Sequence, residues 1–213
     1  MGVVQATIIA STASYEAPEV DRPDPHTGTW VSSISNIGVV GTPYDPGGAV
    51  PAVENAASGL WRRHYTGNWN SGFNIGDINF FTNNSPIYSM ADTWVSFGSR
   101  SIANQSNYAF EWLGYIYISD TGSYNFGVQV DDYAHIWIGN AAIRGYNGTN
   151  AHLKADNSES INGNSLLLTG GYYYPLRIWF QEISGAEKMQ VFFGSTSGSL
   201  LSLNQWTLRY NSA

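Results

Sequence analysis

Hydrophobic and polar residues alternate along much of the second half of the chain. The alternation is clearest in Tyr124–Val130, His135–Ile138, Leu176–Gln181 and Met189–Phe193, and Leu166–Thr169 is a further short apolar run. A period of two is typical of β-strands that bury one face. Glycine, asparagine and serine clusters separate these runs, and no segment keeps a helical period. The pattern therefore predicts an all-β fold, namely an antiparallel β-sandwich.

The first part of the chain differs from the rest in its proline content. Residues 1–55 contain six of the eight prolines, interrupted by β-like runs at Val3–Ala10 and Thr29–Val40. Proline at this density keeps the backbone out of helices and interrupts sheet ladders. We expect residues 1–57 to form either an extended arm, docked on this domain or a neighbour, or a long loop that holds the first strands. Residues 58–213 are predicted to form the sandwich.

The composition argues against several classes of protein and of function. Of 213 residues, 12% are charged and 43% hydrophobic, which is too apolar for a disordered chain. The net charge is −7 with only two lysines, so a cationic surface for nucleic acid or anionic lipid is not expected. No run approaches the roughly 20 apolar residues of a membrane span. The first residues lack the basic region of a signal peptide, so none is expected in this sequence.

Two adjacent carboxylates, Asp131 and Asp132, follow the clearest strand, and we expect them where this strand ends and a turn begins. Neighbouring like charges are unfavourable unless something screens or binds them. Hard cations such as Ca²⁺ take carboxylate and carbonyl oxygens, so the pair is a candidate half-site. From the dipeptide alone an ordinary acidic turn, with one carboxylate accepting hydrogen bonds from backbone N–H groups, is the better explanation, because aspartate is common in turns.

Three motifs favour the cation site. Asp120–Gly139, which runs through Gly-Ser-Tyr-Asn-Phe to Asp-Asp and Ile-Trp-Ile-Gly, resembles the central motif of the protective-antigen domain family. Leu168–Phe180, with Tyr-Tyr-Pro-Leu-Arg-Ile, resembles the second family motif, and Gly59-Leu60 followed by Tyr65 resembles the opening one. The order and spacing agree over residues 58–195. The Tyr-Pro-Leu-Arg-Ile run is most similar to the GLEYA branch, which is found in fungal flocculins and epithelial adhesins.

This resemblance implies a β-sandwich lectin in which an Asp-Asp pair, joined by a cis peptide, binds one Ca²⁺ that in turn binds sugar hydroxyls. In the fungal members an asparagine side chain and two backbone carbonyls, from the loop after the Tyr-Pro-Leu strand, complete the site. The asparagine position falls on Glu182 here, and Gln181 would supply the oxygen if the loop register differs. The metal ligands that the resemblance implies are Asp131, Asp132, Glu182, Ser184 and Ala186.

Other residues are candidates for direct contact with a sugar. Trp69 lies in a turn-like Gly-Asn-Trp-Asn-Ser context and is the best candidate for an exposed stacking platform. Asn140 and Arg144 lie in the loop beyond the Asp-Asp strand and could contact hydroxyls. Together with Asp131, Asp132 and Gln181, these residues form the predicted glycan-binding set.

Enzymatic activity is not expected, because the chain has no cysteine and none of the common hydrolase, metalloprotease or phosphate-loop motifs. A glycosidase needs two carboxylates about 5–9.5 Å apart across a cleft, which adjacent aspartates cannot provide. A distant partner such as Glu111 stays open from sequence.

The sequence therefore predicts a non-enzymatic, calcium-dependent lectin or adhesin module that recognises cell-surface glycans. We expect it outside the cell or on a particle surface such as a virion or tail, in many copies or as an oligomer assembled through the N-terminal arm. The alternative is a structural assembly protein that uses the same sandwich without a ligand.

Overall fold

The computed structural model describes residues 33–34, 43–66, 78–95, 107–161, 164–184 and 187–213. Most of the predicted N-terminal arm, including Val3–Ala10, lies outside these residues, as do Trp69 and Ala186. Among the described residues, no helix is both long enough and apolar enough to cross a membrane.

The described part of the chain is almost entirely β-structure, which confirms the predicted fold class. Its two helices have only six and four residues, which is too short to give a sustained helical period in the sequence. Every pairing between named strands is antiparallel. The elements are β1 (Ser33–Ile34), β2 (Ala56–Ser58), β3 (Leu60–Thr66), α1 (Ile78–Asn83), β4 (Tyr88–Asp92), β5 (Tyr108–Ile118), β6 (Gly122–Ile138), α2 (Asn140–Ile143), β7 (Leu153–Ile161), β8 (Leu166–Leu168), β9 (Tyr172–Glu182), β10 (Lys188–Ser195), β11 (Leu200–Ser202) and β12 (Leu208–Asn211).

Strand β6 belongs to both halves of the sheet system. Its first half pairs with β10, which continues to β11 and β1. Its second half pairs with β9, which continues to β5 and then to β3 and β4. Strand β12 pairs with β5 beyond the end of β3, and β2 pairs with β12. One long strand therefore joins the two layers.

The inner faces of both halves share one buried apolar cluster. Phe110 and Trp112 of β5, Phe180 of β9, Val128 of β6 and Met189 of β10 are each fully buried in it. These residues occupy alternate positions on their strands, as the period-two pattern predicts. Burying a large apolar side chain contributes about 1.5–3 kcal/mol, so this cluster is the main source of stability.

A second, smaller cluster lies on the outer face of β3, β5, β9 and the second half of β6. Phe80 and Phe81 of α1 and Ala142 of α2 pack there against Trp137 and Trp179. Phe81 stacks on Trp179 with ring centroids 4.1 Å apart. The two short helices thus cover one part of this outer face.

Residues that precede the predicted sandwich boundary also pair with its strands. Val50 exchanges two backbone hydrogen bonds with Tyr173 of β9, and Tyr44 forms a bridge with Leu166 of β8. Gly139, at φ +69°, lies so close to this segment that a Cβ would come within 2.4 Å of the Pro46 carbonyl oxygen. Within the described residues, the part from 43 onward is therefore attached to the sandwich, while the division at residue 57 stays a prediction.

Candidate cation and glycan site

Asp131 and Asp132 lie where β6 passes from one half of the sheet system to the other. Asp131 is opposite Lys188 of β10, while Tyr133 is opposite Gln181 of β9, and the register with β7 shifts between Val130 and Tyr133. The peptide bond between the two aspartates is cis. The prediction that a strand ends here is therefore wrong: the strand continues to Ile138 because β9 replaces β10 as its partner.

Glu182 ends strand β9 on the same side as the two aspartates. Phe180, two residues earlier, faces the inner core, and strand alternation directs Glu182 to that face as well. One carboxylate oxygen from each of Asp131, Asp132 and Glu182 falls within 4.8 Å of the other two. The resemblance thus identified three carboxylates that are separated by up to 51 residues in sequence, and the structure brings them together.

The surroundings of Glu182 disfavour its ionised form. Its side chain is buried, and burial raises the pKa of its carboxyl to about 8, with further contributions from the charges of Asp132, Asp131 and Glu187. A cation among the three carboxylates would reverse this balance, because it would replace the lost hydration and offset the like charges.

The donor set fits a hard divalent cation. All three groups offer carboxylate oxygens, which are the ligands that Ca²⁺ prefers, and none offers nitrogen or sulfur. Asp132 is fixed by a second contact, since its Oδ2 accepts a hydrogen bond from the Ile183 backbone N–H at 2.6 Å. That bond ties the loop after β9 to the Asp-Asp junction and leaves the other oxygen of Asp132 for another partner.

The remaining predicted ligands differ in their placement. Gln181 is buried on the opposite face of β9 from Glu182, in register with Ala109, which belongs to the outer cluster. Ser184 is exposed in the loop that follows Ile183, near the carboxylates along the chain. Ala186 and Trp69 lie outside the described residues, so their roles stay predictions.

Asn140 and Arg144 do not lie beside the carboxylates. Strand β6 runs for six residues beyond Asp132, about 20 Å at the usual rise per residue, before α2 begins. The Asn140 backbone N–H donates to the Pro46 carbonyl at 3.0 Å, at that far end. The sequence assigned both residues to the loop beyond the Asp-Asp strand, which agrees with their position, and their contact with a sugar stays a prediction.

A buried charge network, which sequence reasoning did not identify, lies on the outer face. Glu111 is only 1% exposed and accepts hydrogen bonds from Arg63, Tyr65, Arg177 and Trp179. It belongs to the outer face of β5, whereas Glu182, which lies beside the aspartates, continues the inward-facing series of β9. Glu111 therefore does not share a cleft with the aspartates, and its bonding is that of a structural carboxylate.

Comparisons with known proteins agree with this architecture. Residues 108–194 match the model of the GLEYA domain family. A search of curated protein sequences returns no match.

Solved structures with the same fold include sugar-binding adhesin domains. The A domain of epithelial adhesin 6 from Candida glabrata, solved with Galβ1-3GlcNAc, aligns with a TM-score of 0.61 at 16% identity, covering 79% of this chain and 94% of that one. The PA14 domain of the antifreeze protein MpAFP aligns with a TM-score of 0.54 at 17% identity, covering 75% and 94%.

A PA14 sugar-binding domain from an RTX adhesin aligns with a TM-score of 0.52 at 16% identity, covering 71% of this chain and 98% of that one. The family model covers both the Asp-Asp junction and the strand that ends at Glu182. The predicted resemblance to the protective-antigen-like (PA14) family is thus confirmed, with residues 108–194 matching its GLEYA branch.

Proposed function

We propose that the protein is a non-enzymatic glycan-binding module of the adhesin type, with a sugar site that depends on calcium. The observation that carries the proposal is the meeting of the Asp131, Asp132 and Glu182 carboxylates within 4.8 Å, inside the stretch that matches the GLEYA family. When bound, calcium supplies open coordination positions to which vicinal sugar hydroxyls can bind.

Each residue has a distinct part in this proposal. Asp131 and Asp132 hold the cation from the junction of β6, and Glu182 supplies the third carboxylate from the end of β9. The Ile183 N–H positions Asp132 through its 2.6 Å bond, so the loop after β9 is held next to the cation. We further propose that the backbone carbonyls of Ser184 and Ala186 complete the protein ligands.

The similar proteins suggest the ligand class and the setting. Adhesin domains of this fold have been solved with Galβ1-3GlcNAc and other glycans, so we propose cell-surface glycans as the partner. We place the module at a cell surface or on a particle such as a virion or tail. A single sugar offers little contact area, so affinity per site would be weak and many copies would act together.

Calorimetric titration of Ca²⁺ into chelated protein, beside thermal melts, tests the cation site. We expect one-site binding and, at a calcium concentration of about 100 times Kd, a stabilisation of about 2.7 kcal/mol. For a domain of this size that corresponds to a rise in Tm of about 5–11 °C. Asp132→Ala should remove both signals, and EDTA should release the wild type from a glycan array.

Glu182→Ala and Gln181→Ala form a matched pair, because both residues are buried neighbours on β9 that face opposite sides. Glu182→Ala should weaken calcium binding at least tenfold more than Gln181→Ala. The reverse order would mean that the ligand set is wrong. A flat calcium titration of the wild type would refute the calcium site, and array binding that persists in EDTA would separate glycan binding from it. Failure of both would favour a structural assembly protein.

A further inference from the structure

Within the part of the chain that the structure describes, the outer face of the sheet that holds β3, β5 and β9 is covered along only part of its length. Glu111 of β5 is buried and is bonded to Tyr65 and Trp179 of the outer cluster. Further along β5 the residues on the same face, Leu113, Tyr115 and Tyr117, are only half-buried. Tyr173 of β9 lies opposite Tyr117 and is also half-buried, with ring centroids 4.9 Å apart. Beyond the helices, the described part of the outer face therefore continues as a row of partly exposed side chains, of which Tyr115, Tyr117 and Tyr173 are aromatic.

A groove of about 550 Å³ lies along this uncovered part. Its lining includes Trp61 of β3, Tyr115 of β5, Pro175 of β9 and Tyr210 of β12, with Ile143 of α2 at one side. The rings of Trp61 and Tyr210 are 5.5 Å apart and inclined by 35°. The volume is within the range of about 300–1,000 Å³ that is usual for small-ligand sites.

The groove offers no free charge to a ligand from its described side chains. Arg177 is the charged side chain in its lining. The guanidinium of Arg177 is bonded to Glu111, donates from Nε to the Ala142 carbonyl at 2.9 Å, and stacks 3.7 Å from the centroid of the Tyr146 ring. Because these contacts already satisfy the charge of Arg177, an ionic ligand would find no unpaired charged side chain among the described lining residues.

We infer that this groove, defined by Trp61, Tyr115, Pro175 and Tyr210, is a second glycan site that binds a neutral oligosaccharide by stacking and without a metal ion. The C–H face of a pyranose is weakly positive and matches the negative face of an aromatic ring. Spaced aromatic rings along a concave surface suit a chain of such units. A protein partner needs about 800 Å² of surface on each side, which a narrow groove does not present.

The second site is independent of the carboxylate cluster. Pro175 precedes Glu182 by seven residues on β9, about 23 Å along the strand, and the two sites lie on opposite faces of it. Chelation or Asp132→Ala would therefore leave the groove intact. Measurements in EDTA therefore distinguish the two proposals, because chelation removes binding at the calcium site and leaves binding in the groove.

Titration of neutral tetrasaccharides in EDTA tests the inference, with cellotetraose, maltotetraose and chitotetraose as probes. Tryptophan fluorescence and calorimetry on the whole chain should detect binding of at least one probe with a Kd below about 10 mM. Trp61→Ala should raise Kd at least tenfold. Trp94→Ala is the matched control, because Trp94 is 39% exposed and outside the groove lining, and it should leave Kd within about twofold.

Tyr115→Ser provides a second variant, in case Trp61→Ala lowers stability, and it should also raise Kd at least about threefold. Thermal melts establish that each variant is folded at the temperature of the titration. The inference is overturned if no probe binds, if binding survives both groove variants, or if binding requires calcium. It is equally overturned if the wild type forms an oligomer, Trp61→Ala does not, and no sugar probe binds. The groove would then be a protein–protein contact.

Discussion

Replacing Glu111 by glutamine should destabilise the protein strongly without removing any contact of the proposed calcium site. The carboxylate accepts hydrogen bonds from Tyr65 Oη, Trp179 Nε1 and Arg63 Nη1, each at 3.2 Å, and from Arg177. Burial and the charge of Glu111 both raise the pKa of Tyr65, so the phenol stays a donor. Glutamine keeps the shape but presents an NH₂ group to donors and leaves the Arg177 charge uncompensated.

The expected cost follows from burial. Glu111 and Arg177 have side-chain exposures of 2% and 12%, so breaking their pair should cost about 3–5 kcal/mol. For about 200 residues, 1 kcal/mol shifts Tm by about 2–4 °C, so Glu111→Gln should melt about 6–20 °C lower. Arg63 has a side-chain exposure of 42%, and exposed pairs contribute about 0–1 kcal/mol, so Arg63→Ala should cost far less.

Urea unfolding of the three proteins, followed by circular dichroism, measures these differences directly. Glu111→Gln should keep its calcium titration below its melting temperature, because the carboxylates of the site lie on the other face. The reasoning fails if Glu111→Gln is within about 1 kcal/mol of the wild type, or if Arg63→Ala costs as much. Loss of calcium-dependent glycan binding in folded Glu111→Gln would contradict its structural role.

Two further predictions concern acid stability and the attachment of the N-terminal segment. Burial, together with the charge of Arg62, lowers the pKa of His64 to about 4. Between about pH 6.5 and 4 the unfolded chain therefore binds more protons than the folded protein. The free energy of unfolding should decrease as the pH is lowered through that window, by up to about 1.4 kcal/mol per pH unit. His64→Phe, beside the rings of Tyr88 and Phe110, should make urea-derived stability less steep in pH, and an unchanged slope would count against this explanation. Gly139→Ala should cost more than Gly145→Ala in thermal melts: both have positive φ, but a Cβ meets the Pro46 carbonyl oxygen at 2.4 Å at the first and nothing within 4 Å at the second. The excess should be about 1–3 kcal/mol, and equal costs would show that the close approach relaxes freely.

Local alternation was sufficient to predict several strands of the core, although not β5. Tyr124–Val130 and Met189–Phe193 pair with each other through residues that the period-two pattern assigned to one face. Such signals depend on neighbours along the chain, which a sequence displays directly. Glu182 required more, because only the resemblance placed it beside residues about 50 positions earlier.

Features that depend on register were not accessible from the sequence. The exchange of β10 for β9 as the partner of β6 makes Asp131–Asp132 a junction, and nothing local distinguishes this from a strand end. The Glu111 network joins strands whose residues are 46 to 68 positions apart, so its charges look unrelated until the strands are aligned.

Alternation along β9 assigns the two proposed sites to opposite faces of one strand. Tyr174, Leu176, Ile178 and Phe180 face the inner core in a series that ends with Glu182, whereas the intervening positions face outward and include Pro175 in the groove. Sites more than about 10 Å apart without shared partners contribute nearly additively, so either could change without loss of the other. Because the strand is rigid, a branched or clustered glycan that reaches both sites would meet a fixed separation, and two weak contacts would then act at a high effective concentration.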